Sequence, residues 1–528
     1  MIVIGGGACV DKDERLVSFD LSQGNCRVAY LDSGRPKNCA HVRCAEGAEP
    51  EKMSTLLTTL PNVQQVEFDA TLISRLSQSG PRYTSYPTAD RFSADFTYRD
   101  YQQAVSHVRS RGGHHPLSLY IHIPFCDTVC YYCGCNKIVT KNREKAAIYL
   151  DYLKKEIAMQ GKLFAGINHI EQLHFGGGTP TYLSDEQMQD LMDHIRRWFQ
   201  MSDDEKGEYS IEIDPRSVSP DRIHQLRLQG FNRLSLGVQD FDPDVQKAVN
   251  RLQPEQQTLD VIHAARVAKF RSISIDLIYG LPKQTMTTME QTLAQVIDAN
   301  PDRIAVYHYA HLPHLFKPQR RINEKDLPSS DTKLDMLALC IKKLNQAGYV
   351  YIGMDHFAKP DDELAVAQRH GRLHRNFQGY STHAEADLVA CGVSAISSVG
   401  LSYSQNVKTL DEYYASLDKD QLPITRGYKL TMDDLIRRFI IQMLMCNFEL
   451  SVSSLEQAFP ITFNDYFSSE LEQLHEFADM GLLTIDDDWI SVTLRGRLLI
   501  RNICMAFDHH LQQARRLQSE TTRYSQTL

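Results

Sequence analysis

The chain has 528 residues, 42% of them hydrophobic, and a formal net charge of −9, which suits a large catalytic domain with at least one smaller unit rather than a disordered or single small domain. Acidic and basic residues are mixed throughout, so no broad cationic field is offered to nucleic acid or to an anionic membrane. No apolar run reaches the roughly 18 residues of a spanning helix and the opening MIVIGGGACV has no basic flank of a secretory signal, so a cytoplasmic protein is expected, with its twelve cysteines serving as thiols or metal ligands.

Residues 1–52 show no sustained helical or strand period, and GGGACV lacks the third glycine of a dinucleotide fingerprint. They are read as an extension of unknown role, either an appendage or an upstream stretch that is not always translated, since Met53 is a plausible start for the remainder of the chain. Residues 53–115 form an N-terminal segment. From residue 116, six β-rich runs alternate with helical stretches: PLSLYIHIPF, IEQLHFGGG, YSIEID, NRLSLGVQ, SISIDLIYG and DRIAVYHYA. Short Ile/Leu/Val strands separated by helices such as 144–162 and 184–199 predict a parallel sheet with right-handed crossovers. Each run ends in residues that a strand interior would not select: Phe125-Cys126, glycines 176 to 178, Glu212 with Asp214, Gln239-Asp240, Asp276, and His308 to His311. In a parallel barrel these endings share the C-terminal edge, where chemistry is built. The barrel is expected over 116–400 and a mainly helical domain over 401–528. There DDLIRRFIIQMLMCNF and SELEQLHEFADMGLL precede a hairpin-like LLTIDDDWISVT and a last helix led by Thr493, a winged-helix-like order whose acidic content favours a lid over DNA binding.

The chemistry is concentrated in Cys126-x-x-x-Cys130-x-x-Cys133, three thiols on one loop beyond the first strand. A structural zinc site is closed by four ligands. A [4Fe-4S] cube held by three cysteines leaves one iron open to an exogenous ligand. Cys340, Cys391, Cys446 and Cys504 stand singly in apolar surroundings and read as core residues. His122 alternates with Tyr120 and shares its face of the first strand. Arg82, Lys137, Arg437 and Arg438 are candidate cations for an anionic substrate.

With Tyr120 before the loop, Tyr132 beside the third cysteine and GGGTP ending the next strand, the set resembles the radical S-adenosylmethionine superfamily. Within it the chain is similar to the oxygen-independent coproporphyrinogen III oxidase family, on PRYTSYPT (81–88), YIHIPFCDTVCYYCGCNKIVT from Tyr120, HFGGGTPTYL from His174, FNRLSLGVQDF from Phe231, DLIYGLPKQT from Asp276 and IGMDHFAKPDDELAVAQ from Ile352.

The resemblance implies an α/β fold: a partial (β/α)6 TIM-like barrel whose active site is closed by the N-terminal segment and by a helical, winged-helix-like C-terminal domain. It implies a monomer that decarboxylates two propionates of coproporphyrinogen III to vinyl groups, giving protoporphyrinogen IX. A 5'-deoxyadenosyl radical would do this, fed by an unidentified low-potential electron donor and drained by an unidentified acceptor. Cys126, Cys130 and Cys133 would hold one [4Fe-4S] cluster, and two S-adenosylmethionine molecules are expected. Tyr120, Gly177, Glu212, Ala310 and Ile396 would hold the first. Tyr132, Gly178, Thr179, Gln239, Arg251 and Asp276 would hold the second; the family often has Phe where Tyr132 stands. Cys135 is assigned beside the second cofactor, and Tyr120, His122 and Cys135 are the candidate catalytic side chains. The related haem chaperone is the alternative; its HNxxYW-type motif is not matched by His374-Arg375-Asn376-Phe377.

Overall fold

A computed structural model describes residues 66–516 except 111–114 and 204–205, together with the backbone of short strands between residues 7 and 41. Two compact units divide between Val63 and Gln64. In the first, where no strand period is legible in the sequence, strands Gly7–Val10, Leu16–Asp20 and Arg27–Asp32 pair antiparallel, with the shorter Arg35–Pro36 and Ala40–His41 both on the third. The side chains of Cys9, Cys26, Cys39 and Cys44 lie outside the described residues.

The second unit is built on strands β1 (Leu117–Ile123), β2 (His169–Gly177), β3 (Glu208–Ile213), β4 (Arg233–Gln239), β5 (Ser272–Tyr279), β6 (Arg303–His308) and β7 (Asp387–Cys391). They lie side by side and parallel in the order β7-β1-β2-β3-β4-β5-β6. The six predicted strands are all present. The seventh, β7, is not predicted by the pattern, because the short run DLVAC leads into an antiparallel partner and not into a helix; it makes β1 an interior strand. Antiparallel strands His356–Ala358 and Val350–Gly353 extend the edge beyond β6, and Ile396–Val399, Ser402–Asn406 and Ile424–Lys429 extend the other.

Along these strands apolar side chains that pack against the helices alternate with small or polar ones that face the barrel lumen. Ile211, Ile213, Leu234, Leu236, Ile273, Ile275 and Leu277 are fully buried, whereas Ser210, Glu212, Ser235, Gly237, Ser274, Asp276 and Tyr307 are only partly so. A lumen lined by serines and carboxylates cannot collapse into a dry core, so space remains at the strand ends. Helices Glu144–Leu163 and Asp185–Trp198 cover the outer face, the second started by a Ser184/Gln187 capping box.

At the opposite end of the lumen, Glu208 sits between His383 (3.8 Å) and Arg233 (3.8 Å) and accepts from Gln172 (2.9 Å). Burial alone would raise its carboxyl pKa; contact with His383 and the charges of Arg233 and Arg303 outweigh that and hold it well below the ordinary carboxylate range. A depressed folded-state value stabilises the fold above the unfolded pKa, roughly 4.3, and that stability is lost as pH falls below it. Glu208→Gln is therefore expected to cost about 3 kcal/mol at pH 7, and to shrink that cost towards zero in urea titrations repeated at progressively lower pH.

The sheet continues to Lys429, so the helical domain begins with Met432–Asn447 and not at residue 401. It carries a three-stranded sheet, Glu449–Ser451, Trp489–Val492 and Leu483–Ile485, in the predicted wing. The expected last helix led by Thr493 is different in detail. Thr493 Oγ1 accepts from Gly496 N (3.1 Å) to head a 3-10 turn, Gly496–Leu499, which runs into helix Ile500–Ala506. Asp508 then starts a further helix, His509–Arg516, by accepting from Leu511 N (2.9 Å). The PRYTSYPT stretch lies on these helices: Tyr83 Oη donates to Asp508 (2.9 Å), Tyr86 Oη accepts from His509 N (3.1 Å), and Arg501 Nε donates to Pro81 O (2.9 Å). Arg437 does not await a substrate. It is buried and committed to Asp433, to Glu470 (2.8 Å) and to the Phe507 carbonyl (3.1 Å).

Candidate active site

The cysteine loop leaves the end of β1 and is pinned from several sides. Ile138 N donates to Pro124 O (2.7 Å), Thr140 N to Cys126 O (3.0 Å), Tyr131 N to Val249 O (2.9 Å), and Asn250 Nδ2 to Val129 O (2.7 Å). Across from it, the glycines at the end of β2 come within van der Waals reach of residues at the end of β1. A Cβ on Gly178 would lie 2.7 Å from Phe125 O, and one on Gly177 (φ +117°) would strike the His122 ring. Gly178 N donates to Ile123 O and Thr179 N to Phe125 O, both at 2.8 Å.

Between these loops lies a cavity of ≈ 450 Å³ lined by Cys126, Cys130, Cys133, Cys135, Tyr132, Gly177, Gly178, Thr179, Glu212, Gln239, Arg251 and Asp276. These twelve predicted residues thus meet at one place. Tyr120 and His122 stand just behind the wall, against Gly176 and Gly177. Ala310 and Ile396 are not part of the lining: Ala310 follows β6 with its carbonyl accepting from Gln319 (3.2 Å), and Ile396 opens its antiparallel strand. Lys137 lines the cavity, its Nζ on the Cys133 carbonyl (3.1 Å). Arg438 lines a separate cavity and Arg82 pairs with Asp355.

The sulfurs face hydrogen-bond donors. Thr179 Oγ1 approaches Cys126 Sγ, and Arg216 and Arg251 both approach Cys130 Sγ, each at 3.6 Å. The Cys135 thiol and Lys137 draw the Cys133 thiol down to about 5, while burial pushes Cys126 up to about 11. A cube takes each thiolate on a different iron. Three thiols surrounded by cations therefore fit a cluster, and Arg251 adds a second sign of a missing ligand: it is 6% exposed, lines the cavity, and its Nε has no hydrogen-bond partner.

Deeper in the lumen Tyr120 stacks on His174 (5.7 Å between ring centres) and donates to His122 Nδ1 (3.1 Å). His122 Nε2 faces the Asn136 carbonyl (3.2 Å), which can only accept. Burial lowers the His122 pKa, so the ring is neutral with its proton on Nε2. Burial opposes ionisation of Glu212 too, but His174 (3.3 Å) and the Gly177 amide (3.1 Å) bring its pKa below the usual value. Asp276 behaves oppositely: burial first, then the Glu212 charge, push it up to about 7. Gln239 enters the cavity through a bulge where the β4–β5 register shifts between Gly237 and Gln239, with its own φ at +71°.

Two cavity residues carry no ligand role in the sequence pattern. Asp214 shares the lumen-facing alternation of Glu212 and binds both Arg216 (2.7 Å) and Arg251 (3.1 Å); its spacing from Glu212 is the available signal. Arg216 sits in a 3-10 turn after β3 and has no pattern of its own.

A parallel partial barrel with three cysteines after β1 and a glycine cradle after β2 defines the class of radical S-adenosylmethionine proteins. The Radical SAM superfamily matches residues 120–296, and the HemN C-terminal domain matches residues 430–499. The chain is 52% identical over 457 residues to the oxygen-independent coproporphyrinogen III oxidase of Escherichia coli K12 (87% of this chain, 98% of that protein) and 51% identical over 451 residues to that of Pseudomonas aeruginosa (85% and 98%). The solved structure of the Escherichia coli coproporphyrinogen III oxidase HemN, described as a radical SAM enzyme, superposes with a TM-score of 0.81 at 52% identity, covering 85% of this chain and all of that one. The chain belongs to the oxygen-independent coproporphyrinogen III oxidase family, whose cofactors are a [4Fe-4S] cluster and S-adenosylmethionine.

Proposed function

We propose that this chain carries out the anaerobic oxidative decarboxylation of two propionates of coproporphyrinogen III, giving the vinyl groups of protoporphyrinogen IX. The observation that carries the reading is the three-cysteine loop facing the glycine cradle across one cavity, in a chain that matches its family over nearly the whole of each relative. When bound, the cluster and S-adenosylmethionine would supply a 5'-deoxyadenosyl radical able to take hydrogen from the propionate β carbon, so that loss of carbon dioxide and one further electron would leave the vinyl group.

Cys126, Cys130 and Cys133 would hold the cluster. Gly177 and Glu212 present a backbone and a carboxylate acceptor to the first S-adenosylmethionine, with Tyr120, Ala310 and Ile396 around it. Arg251, kept charged by Asp214, offers its bidentate fork to a carboxylate of a second molecule, while Gln239, Asp276, Tyr132, Gly178 and Thr179 complete that site. Neutral His122 orients the Tyr120 hydroxyl. A low-potential donor would feed the cluster and a separate acceptor would take the final electron, in a protein read as a cytoplasmic monomer. No helix among the described residues is long and apolar enough to cross a membrane.

Anaerobic incubation with S-adenosylmethionine, reductant and coproporphyrinogen III should yield 5'-deoxyadenosine, carbon dioxide and protoporphyrinogen IX. Tight haem binding without decarboxylation would instead support the chaperone. Cys135→Ser is expected to keep its full iron content and to lower turnover ~10-fold or more, about 1.4 kcal/mol of barrier. Loss of iron in that variant would make Cys135 a cluster ligand and refute its place beside the second cofactor.

A further inference from the structure

Glu156 lies within helix Glu144–Leu163 and is fully buried. Its carboxylate gathers donors from three separate segments. Gly392 N donates to Oε2 (2.7 Å), Tyr413 Oη to the same oxygen (2.5 Å) and Asn406 Nδ2 to Oε1 (2.8 Å). None of these donors is charged, and among the described residues no cation pairs with Glu156. Burial pushes its pKa up to about 7 against the pull of the three hydrogen bonds. Leu153 and Ile157, fully buried on the same helix, already anchor it, so holding the helix in place does not call for a carboxylate.

A buried carboxylate without a cation is costly, and the groups it holds all border the site. Residues 392–395 form the turn by which the chain leaves β7, whose end lies beside that of β1. Glu156 grips this turn at Gly392 N and again through Asn406, whose Nδ2 also donates to Gly392 O (2.8 Å) and whose N donates to Ala395 O (2.9 Å). The next residue is Ile396. From the same turn Val393 N donates to Tyr149 Oη (3.2 Å), and Tyr149 Oη donates to the His122 carbonyl (2.8 Å). The Tyr149 ring also stands edge-on to Phe125 (5.5 Å between ring centres), the residue before Cys126. A Cβ on Gly392 (φ +106°) would lie 2.8 Å from the His122 carbonyl oxygen, so the turn and β1 are in direct contact. On the other side, Lys408 O accepts from Asn136 Nδ2 (3.2 Å), and Asn136 O accepts from His122 Nε2 (3.2 Å). The backbone and the ring of His122 are thus both tied to segments that Glu156 holds.

We propose that Glu156 is a positioning residue for the radical reaction: its carboxylate fixes the 392–395 turn and the 406–408 segment, and through them sets His122 and Ile396 against the first S-adenosylmethionine. The proposal rests on the place given to that cofactor above. Glu156 itself touches neither cofactor nor substrate and acts only through the groups that it binds.

The test uses the full chain, reconstituted anaerobically and held at pH 8 so that the carboxyl is ionised. Glu156→Gln keeps the shape but puts an NH2 against either the Gly392 N–H or the Asn406 NH2, donor against donor. Its KM for S-adenosylmethionine, and its affinity for that cofactor by equilibrium dialysis, should worsen about tenfold, about 1.4 kcal/mol. Iron content and the KM for coproporphyrinogen III should stay at the parent values. Tyr149→Phe, which cuts the link to the His122 carbonyl, should weaken cofactor binding too, and the double variant should lose no more than the worse single one, because both act through one turn. A merely structural glutamate would lower thermal stability and the amount of active protein and leave both KM values alone; that result, or losses that add in the double variant, would overturn the proposal. Should Glu156→Gln fail to fold, Tyr149→Phe decides, and a parent-like cofactor affinity in it overturns the proposal. A parent protein that binds no S-adenosylmethionine would sink the cofactor reading and the proposal with it, whereas a parent that binds it, with variants that bind equally well, would sink the positioning role alone.

Discussion

Replacing Cys126, Cys130 or Cys133 singly by alanine is expected to abolish both cluster iron and turnover, taking anaerobically reconstituted protein from about four irons per chain to near none. The loop carrying the sulfurs is held by Thr140 N on Cys126 O, Cys133 N on Cys130 O and Tyr131 N on Val249 O, and it has no spare thiol to swing in: Cys135 lines the same cavity but follows Cys133 by only two residues. The donors at 3.6 Å from Cys130 and Cys126 stabilise thiolates, and without the cluster those buried charges lose their purpose. Iron assay and electron paramagnetic resonance after reduction provide the measurement. Stoichiometric zinc without iron in the parent protein, or a cluster that survives any one of the three substitutions, would refute the three-ligand assignment.

The cofactor-facing half of the site was legible because its chemistry sits in compact strings. Cys126 to Cys133 and the glycines 176 to 178 each occupy one loop, and Glu212, Gln239 and Asp276 are polar residues interrupting apolar strands at their C-terminal ends, an anomaly that periodicity exposes. The arginines gathered near Asp355 were not legible, for a physical reason. Arg375 and Arg501 lie on a hairpin and a C-terminal helix more than a hundred residues apart in sequence, and only packing brings them to Asp355 and Arg82. Arg437 shows the converse: a lone arginine in an amphipathic helix reads like an available cation until Asp433 and Glu470 are seen to occupy it. The same limit applies to the fold. Six βα units announce themselves by alternation with helices, whereas β7 is five residues long and its neighbour in the sheet, β1, lies more than two hundred residues earlier.

Gly178→Ala should separate cofactor binding from cluster assembly. The added methyl would lie 2.7 Å from the Phe125 carbonyl oxygen and 2.8 Å from Pro124 atoms, all of them backbone, so no side-chain rotation can relieve the clash. The cradle and the cysteine loop must move apart, which breaks the 2.8 Å bonds from Gly178 N to Ile123 O and from Thr179 N to Phe125 O that hold them in register. The sulfurs all lie on the other loop, so iron content should stay near the parent level. S-adenosylmethionine binding by equilibrium dialysis should weaken, and 5'-deoxyadenosine formation should drop by about 10²-fold, the usual effect of displacing reacting groups by an ångström. A variant that binds the cofactor normally would show that the close approach of these two backbones is a packing feature and that the glycine cradle does not position the sulfonium.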